Sequence, residues 1–262
     1  MREISDVVIK KRKIISIGGG RIMVPKGQDP QTLSIDEEIV RLARKKKPRF
    51  LFVPTASLDD IGYCERIKMH FGEKLGCQVD TLLLYRNRPS TQAIKNKILK
   101  ADIIYVGGGN TLRMMNLWRQ LGIDRLMTQA RKNGCVLSGL SAGSICWFRQ
   151  GNSDSRKFAD KSNLTLIKVS GLDYVDALIC PHYDVEKHRQ EALKTMMRKT
   201  RGIAIALENC TAIEVVDNSY RIITSLKNKN AWKVYWRGGR YFREKLPKDG
   251  NYLPLHGLLV KD

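Results

Sequence analysis

The sequence is short of several things. Aromatic residues make up only 7% of its 262 positions, and there are just four histidines. No apolar stretch approaches the ~20 residues that a membrane-spanning helix requires. The N-terminus, Met1-Arg2-Glu3-Ile4-Ser5-Asp6, lacks the long apolar core of a signal peptide, so a soluble, unexported, cytoplasmic protein is expected. The six cysteines form no CxxC pair, and several sit inside apolar runs. That excludes a sequence-evident zinc site or disulfide frame and predicts buried, reduced thiols. Low-complexity linkers, internal repeats and breaks in composition are also missing, which predicts a single domain over 1–262. Acidic residues are scarce too: 26 Asp and Glu against 47 Lys and Arg leave a net charge of +21.

The basic excess is densest at Lys10-Lys11-Arg12-Lys13 and at Lys45-Lys46-Lys47 with Arg49. Such a surface attracts polyanions in general. No RNP-type aromatic motif, zinc finger or Gly-rich basic tail accompanies it, so nucleic acid is not expected as a specific partner.

Short β-branched runs alternate with amphipathic segments through the first two-thirds of the chain. Strands are predicted at Ile14 to Ile17, Phe50 to Val53, Val79 to Tyr85, Ile103 to Val106 and Cys135 to Ser138. Ser34-Ile35-Asp36-Glu37 has the form of a capping box opening a helix. Near-continuous apolar strands separated by helices argue a mostly parallel α/β sheet covered on both faces. The last third instead packs strand-like runs closely, from Ile203 to Leu207, Ala212 to Val216, Tyr220 to Thr224 and Trp232 to Trp236, with turns at Asp217-Asn218 and Gly238-Gly239. These read as antiparallel strands flanking the main sheet.

Chemistry concentrates in Ser138-Gly139-Leu140-Ser141-Ala142-Gly143-Ser144, a Gly-x-Ser-x-Gly segment that follows an apolar strand and precedes a helical pattern. A nucleophile elbow needs this order: small neighbours allow a sharp turn that lifts the serine above the sheet edge. The following helix is expected to present N–H groups to an oxyanion. A second strand breaks into Gly107-Gly108-Gly109-Asn110, which should open at the same carboxyl edge and offer bare amides. No Lys-Ser/Thr follows in the Walker spacing, so a nucleotide loop is a poor reading. Of the histidines, His182 follows an apolar strand and Pro181, where catalytic groups of open α/β sheets gather; His188 is the weaker candidate, and His70 and His256 read as structural or exposed. Asp154 lies in the polar loop Gly151 to Ser155, as either the acid behind the histidine or an ordinary turn former. The order Ser141, Asp154, His182 is that of the α/β-hydrolases, yet the acid follows the serine too soon for that fold.

Gly107-Gly108-Gly109-Asn110-Thr111, Gly139 to Ser144, Asn152-Ser153-Asp154-Ser155 and Cys180-Pro181-His182-Tyr183-Asp184 together resemble the S51 serine peptidases, which include aspartyl dipeptidases and cyanophycinases. The resemblance runs from Phe52 to the Ala206-Leu207-Glu208-Asn209 region. It implies a fold similar to class I glutamine amidotransferases, a flavodoxin-like three-layer arrangement. It also implies Ser141 as nucleophile, His182 as general base, and a triad acid in the loop of Asp154. The backbone N–H groups of Ala142 and Gly108 would form the oxyanion hole. No cofactor or metal is implied; homo-oligomers are compatible with the family, and no arginine is singled out to bind a substrate aspartate.

The expected activity is hydrolysis of small peptides or isopeptide-type amides through an acyl-enzyme, with acidic substrates modestly favoured by the basic surface. Three alternatives stand beside it. An amidase could use Cys146, five positions past Ser141. A catalytically silent member could serve as a basic binding protein. A metal could sit on His182, Asp184, Glu186 and His188 if that segment were extended. Long substrates are not expected, because there are no long insertions to hold them.

Overall fold

The computed structural model describes residues 10–22, 30–185 and 187–261. The N-terminal hexapeptide and Glu186 lie outside them. The chain runs β1 (Lys13–Ile17), α1 (Leu33–Leu42), β2 (Arg49–Val53), α2 (Ile61–Ile67, continued by a π-helical stretch Lys68–Lys74), β3 (Gln78–Thr81), α3 (Thr91–Lys100) and β4 (Ile103–Val106). Next come α4 (Thr111–Gln120), α5 (Ile123–Lys132), β5 (Val136–Leu140), α6 (Ala142–Ile145), β6 (Phe148–Ser153), β7 (Ile167–Ser170) and β8 (Val175–Cys180). The remainder is α7 (Lys187–Arg198), β9 (Ala204–Leu207), β10 (Thr211–Val216), β11 (Ser219–Thr224), β12 (Ala231–Arg237), β13 (Arg240–Lys245), β14 (Leu253–Pro254) and α8 (Leu255–Leu259).

The strands form two sheets rather than one. The first has the order β14-β11-β10-β1-β5-β4-β2-β3, and the second β13-β12-β9-β8-β6-β7. In the first, β1, β5, β4, β2 and β3 are parallel, and β10 closes antiparallel on β1. In the second, β6, β8 and β9 are parallel while β7, β12 and β13 run against them. The late strands therefore divide: β10 and β11 extend the main sheet as expected, whereas β9, β12 and β13 belong to the second, where β9 runs parallel to β8 rather than antiparallel. Sequence patterning marks a strand but carries no record of which sheet it joins. One apolar cluster spans both sheets, with Ile14, Leu51 and Ile104 from the first packed with Val169, Ala177 and Ile205 from the second. Burying this surface on both sides explains why β4 and the Ala177–Cys180 part of β8 read as apolar runs.

Local differences have local causes. The first helix begins at Leu33, with Thr32 rather than Ser34 before it, because the Thr32 hydroxyl is drawn to the buried Asp36 carboxylate 2.8 Å away. His70, in the π-helical stretch, reaches the same Asp36 oxygen at 2.8 Å and is structural, as anticipated. The helix after Ser141 is a single turn, and the Phe148 end of its predicted run belongs to β6. So short a helix supplies no appreciable macrodipole, which leaves individual amides as the electrostatic resource of the elbow. Five of the six cysteines are buried, and all six are free thiols.

Candidate active site

The site lies where the carboxyl ends of the two sheets meet. Three turns converge there: Gly18-Gly19-Gly20 after β1, the elbow after β5, and Pro181 to Asp184 after β8. Ser141 adopts φ 57° and ψ −108°, a conformation costly for a residue with a side chain. The neighbouring Gly143 makes it attainable, since a Cβ there would fall 2.0 Å from the Val106 carbonyl. The strain fits the predicted elbow and lifts the serine out of the sheet while Ser138, Ala142 and Ser144 stay buried.

The turn after β1 binds both candidate catalytic residues by their backbones. Ser141 donates its N–H to the Ile17 carbonyl at 3.2 Å, and His182 donates its N–H to the Gly18 carbonyl at 2.9 Å. Those carbonyls belong to consecutive residues, whose Cα atoms are ~3.8 Å apart. Residues distant in sequence, on different sheets, are thereby brought to one turn. His182 itself has φ 54°, a second strained backbone at the same place. The Ser141 hydroxyl makes no hydrogen bond among the described residues; in a free enzyme that contact is commonly open until substrate binds.

The partner of His182 was not found from the sequence. Its Nδ1 lies 2.8 Å from Oδ1 of Asn209, in the turn after β9. Asn209 is set in turn by Asp184, whose Oδ1 accepts the Asn209 backbone N–H at 2.8 Å, while its other oxygen pairs with Lys229. Burial alone would raise the Asp184 carboxyl, but Lys229 and the Asn209 amide hold it below the usual carboxylate range. Gly19 lies directly against this pair: a Cβ there would sit 2.1 Å from Asn209 Oδ1 and 2.4 Å from His182 Nδ1. Only glycine lets the β1 turn pass beneath the imidazole.

Asp154 is placed otherwise. Its carboxylate lies 3.7 Å from the buried guanidinium of Arg189, which also donates to Asn152 Oδ1 at 3.3 Å. The Asn152–Ser155 motif braces the glycine loop after β4. Asn110 donates its side-chain amide to the Ser155 carbonyl at 3.1 Å, and Ser155 Oγ accepts the Leu112 N–H at 3.0 Å. The triad-acid assignment for Asp154 is therefore corrected: the Nδ1 position is held by Asn209, and Asp154 faces a cation. The sequence signal for Asn209 was the Leu207-Glu208-Asn209 corner at a strand's carboxyl end, which carries no motif when read alone.

The loop that Asn152–Ser155 braces brings Gly108 beside Ser141. A Cβ on Gly108 would stand 3.5 Å from Ser141 Cβ. The Tyr63 phenol lies beside the Gly108 amide, and burial pushes it up to about 12, so it stays protonated at neutral pH. Cys146 is fully buried and its thiol is raised well above the ordinary range by desolvation, so no thiolate is at hand for the amidase alternative. The metal alternative meets two obstacles, since Asp184 is committed to Asn209 and Lys229 and the chain is helical from Lys187. Among the described residues no cluster of His, Cys, Asp or Glu is arranged to hold a metal ion.

A strained serine on an elbow, with an imidazole fixed on the adjoining turn, is the arrangement that serine-type hydrolysis requires. The sequence pattern of peptidase family S51 matches residues 14–223, and the chain belongs to that family as a serine-type peptidase. It is 33% identical to the uncharacterized peptidase YgaJ of Bacillus subtilis (strain 168) over 225 residues, 85% of this chain and 92% of that protein. It is 26% identical to peptidase E of Nostoc sp. over 210 residues, 72% of this chain and 81% of that one. Among solved structures, a peptidase from an acI-B1 Actinobacterium superposes with a TM-score of 0.68 at 14% identity, covering 92% of this chain and 96% of its own. A putative peptidase E from Listeria monocytogenes EGD-e gives 0.59 at 22% identity, covering 82% and 98%. The two structures show a shared peptidase E-like α/β fold.

Proposed function

We propose that the protein hydrolyses amide bonds of short peptides through an acyl-enzyme on Ser141, with His182 as general base and Asn209 orienting it. The observation that carries this reading is the pair of backbone bonds that fix the strained Ser141 and His182 on consecutive carbonyls of one turn. With Nδ1 facing the Asn209 oxygen, the imidazole is the Nδ1–H tautomer. Nε2 takes the Ser141 proton during attack and returns it to the leaving amine, and water then clears the acyl group. A neutral amide orients the ring as a carboxylate would, but stabilises the developing imidazolium less. The Ala142 and Gly108 amides are the candidate oxyanion donors, with the protonated Tyr63 hydroxyl as a third group beside Gly108.

The two densest basic clusters lend no support to a preference for acidic peptides. The basic clusters at Lys10–Lys13 and Lys45–Arg49 sit at the amino ends of β1 and β2, away from Ser141. The segments that follow β2, β4 and β6 at the catalytic edge carry exposed Leu58, Leu112 and Phe158, with Arg113, Arg156 and Lys157 beside them. Short peptides with apolar side chains are therefore the proposed class. Digestion of a short-peptide library by the wild type and by Ser141→Ala tests it. Cleavage of apolar members by the wild type alone is expected. Cleavage by both proteins removes the Ser141 assignment, and faster cleavage of acidic members removes the substrate class.

A further inference from the structure

The amino-terminal edge of the eight-stranded sheet, at the opposite end of β1 and β5 from Ser141, holds a cavity of about 1230 Å³. The starts of β1, β2 and β5 and the end of β10 border it, and its lining has seven cationic residues against two carboxylates, Asp102 and Asp217. Both carboxylates are already paired. Asp102 takes Lys45 at 2.8 Å and Arg49 at 3.1 Å, and Asp217 faces Arg12 at 3.9 Å. The side chains of Lys10, Lys11 and Arg44 have no hydrogen bond or ion pair among the described residues.

Cations at this edge have an ordinary use, because α1, α3 and α5 all end here. Lys13 Nζ donates to the last-turn carbonyl of Leu42 at 3.0 Å. A helix C-terminus carries roughly half a negative charge, so three of them offset about 1.5 of the net five positive charges in the lining. Arg41 is also taken by the Glu38 carboxylate, which lies outside the lining, so a surplus of about 2.5 is left uncompensated. Burial, and next the neighbouring Arg44, press the Lys13 ammonium below its ordinary value, as expected where cations crowd without a counterion. Arg44 is itself held at φ 51°, a conformation that favours glycine, so the fold keeps a charged side chain at a position that disfavours it.

We propose that this cavity binds a compact oligophosphate anion, either free or as the phosphate chain of a nucleotide. A recess concentrates the charge on a short ligand, whereas a nucleic-acid strand wants an extended track with aromatic platforms. Tyr252 is the sole aromatic residue of the lining. The proposal is independent of Ser141 and its chemistry.

Calorimetric titration with inorganic triphosphate near physiological salt is the test, run on the wild type, Arg44→Gly and the exposed control Lys161→Ser. The wild type should bind one triphosphate per chain. Arg44→Gly should weaken binding about tenfold, the scale of one charge-assisted hydrogen bond, and Lys161→Ser should leave it unchanged. Glycine suits the backbone at 44, so an unchanged or raised melting temperature will show that lost binding is not lost folding. In a parallel arm, adenosine triphosphate binding at least tenfold tighter than triphosphate assigns the nucleotide as source, and equal affinity assigns the phosphate chain alone. The proposal is overturned by no saturable binding, by equal weakening in both variants, or by a 12-mer single-stranded RNA that displaces triphosphate and binds a hundredfold tighter.

Discussion

The Nδ1 atom of His182 meets the side-chain oxygen of Asn209 at 2.8 Å, and no carboxylate among the described residues takes that place. An amide accepts the ring N–H but brings no negative charge to the imidazolium formed when Ser141 attacks. Asn209→Ala should lower kcat by about a hundredfold or more, since an unoriented imidazole samples the wrong tautomer. Asn209→Asp should raise the His182 pKa and shift the acidic limb of the kcat/KM profile to higher pH. Asp154→Asn should change kcat by no more than about threefold. A pH–rate series on the three variants checks this; loss of activity in Asp154→Asn with Asn209→Ala active would reverse the assignment.

Gly19 offers a steric test of the same relationship. A methyl group there has no room between the imidazole and the Asn209 amide. Gly19→Ala should displace His182 and cut kcat by about a hundredfold, with a melting temperature far less affected than by a core deletion. An active Gly19→Ala enzyme would mean that this imidazole position is not the catalytic one.

The elbow strain has a measurable consequence for stability. Ser141 at φ 57° and ψ −108° stores an estimated 1–3 kcal/mol, much of which glycine would not incur. Ser141→Gly should therefore be inactive and about 1 kcal/mol more stable, read as a higher urea midpoint. A less stable Ser141→Gly protein would argue against a strained elbow.

Much of this was legible in the sequence, for identifiable reasons. The elbow at Ser141, the glycine loop at Gly107–Asn110 and the strand-end position of His182 are local patterns: a strand, a sharp turn and small residues contiguous along the chain. Asn209 was not legible, because its role depends on β9 lying beside β8 and on Gly19 leaving space beneath the ring. Asp154 was misread for the related reason that a polar loop beside a glycine loop serves equally to brace it, and only the contacts with Arg189 and Asn110 tell the two uses apart. The basic surface was read from composition as a diffuse property, whereas folding gathers part of it into one recess.

Tyr63 provides a test of the oxyanion side. Its hydroxyl lies beside the Gly108 amide and stays protonated through neutral pH, so it can donate to the oxyanion alongside that amide. Tyr63→Phe should reduce kcat roughly tenfold with little change in KM. A change confined to KM would place Tyr63 in substrate binding instead.

A pH effect on stability follows from Asp102. Burial works to raise its carboxyl, but hydrogen bonds from Arg49 and Lys45 overcome this and bring it down to about 2 from 3.8. A depressed carboxylate stabilises the fold fully above its unfolded value, and that contribution fades as pH falls from about 4 toward 2. Arg49 and Lys45 are about half exposed, so the effect should be only ~1 kcal/mol. Urea midpoints at pH 5 and pH 2.5 should converge for wild type and Asp102→Asn at the lower pH. Asp102→Asn should also bind triphosphate more tightly, having one carboxylate fewer in the recess.

The central claim, that Ser141 is the nucleophile activated by His182, is tested most directly by peptide mapping after reaction with a fluorophosphonate probe. The account predicts one adduct per chain, on the peptide containing Ser141, formed by the wild type and lost in His182→Ala. An adduct on any other residue, or equal labelling without the imidazole, would contradict it.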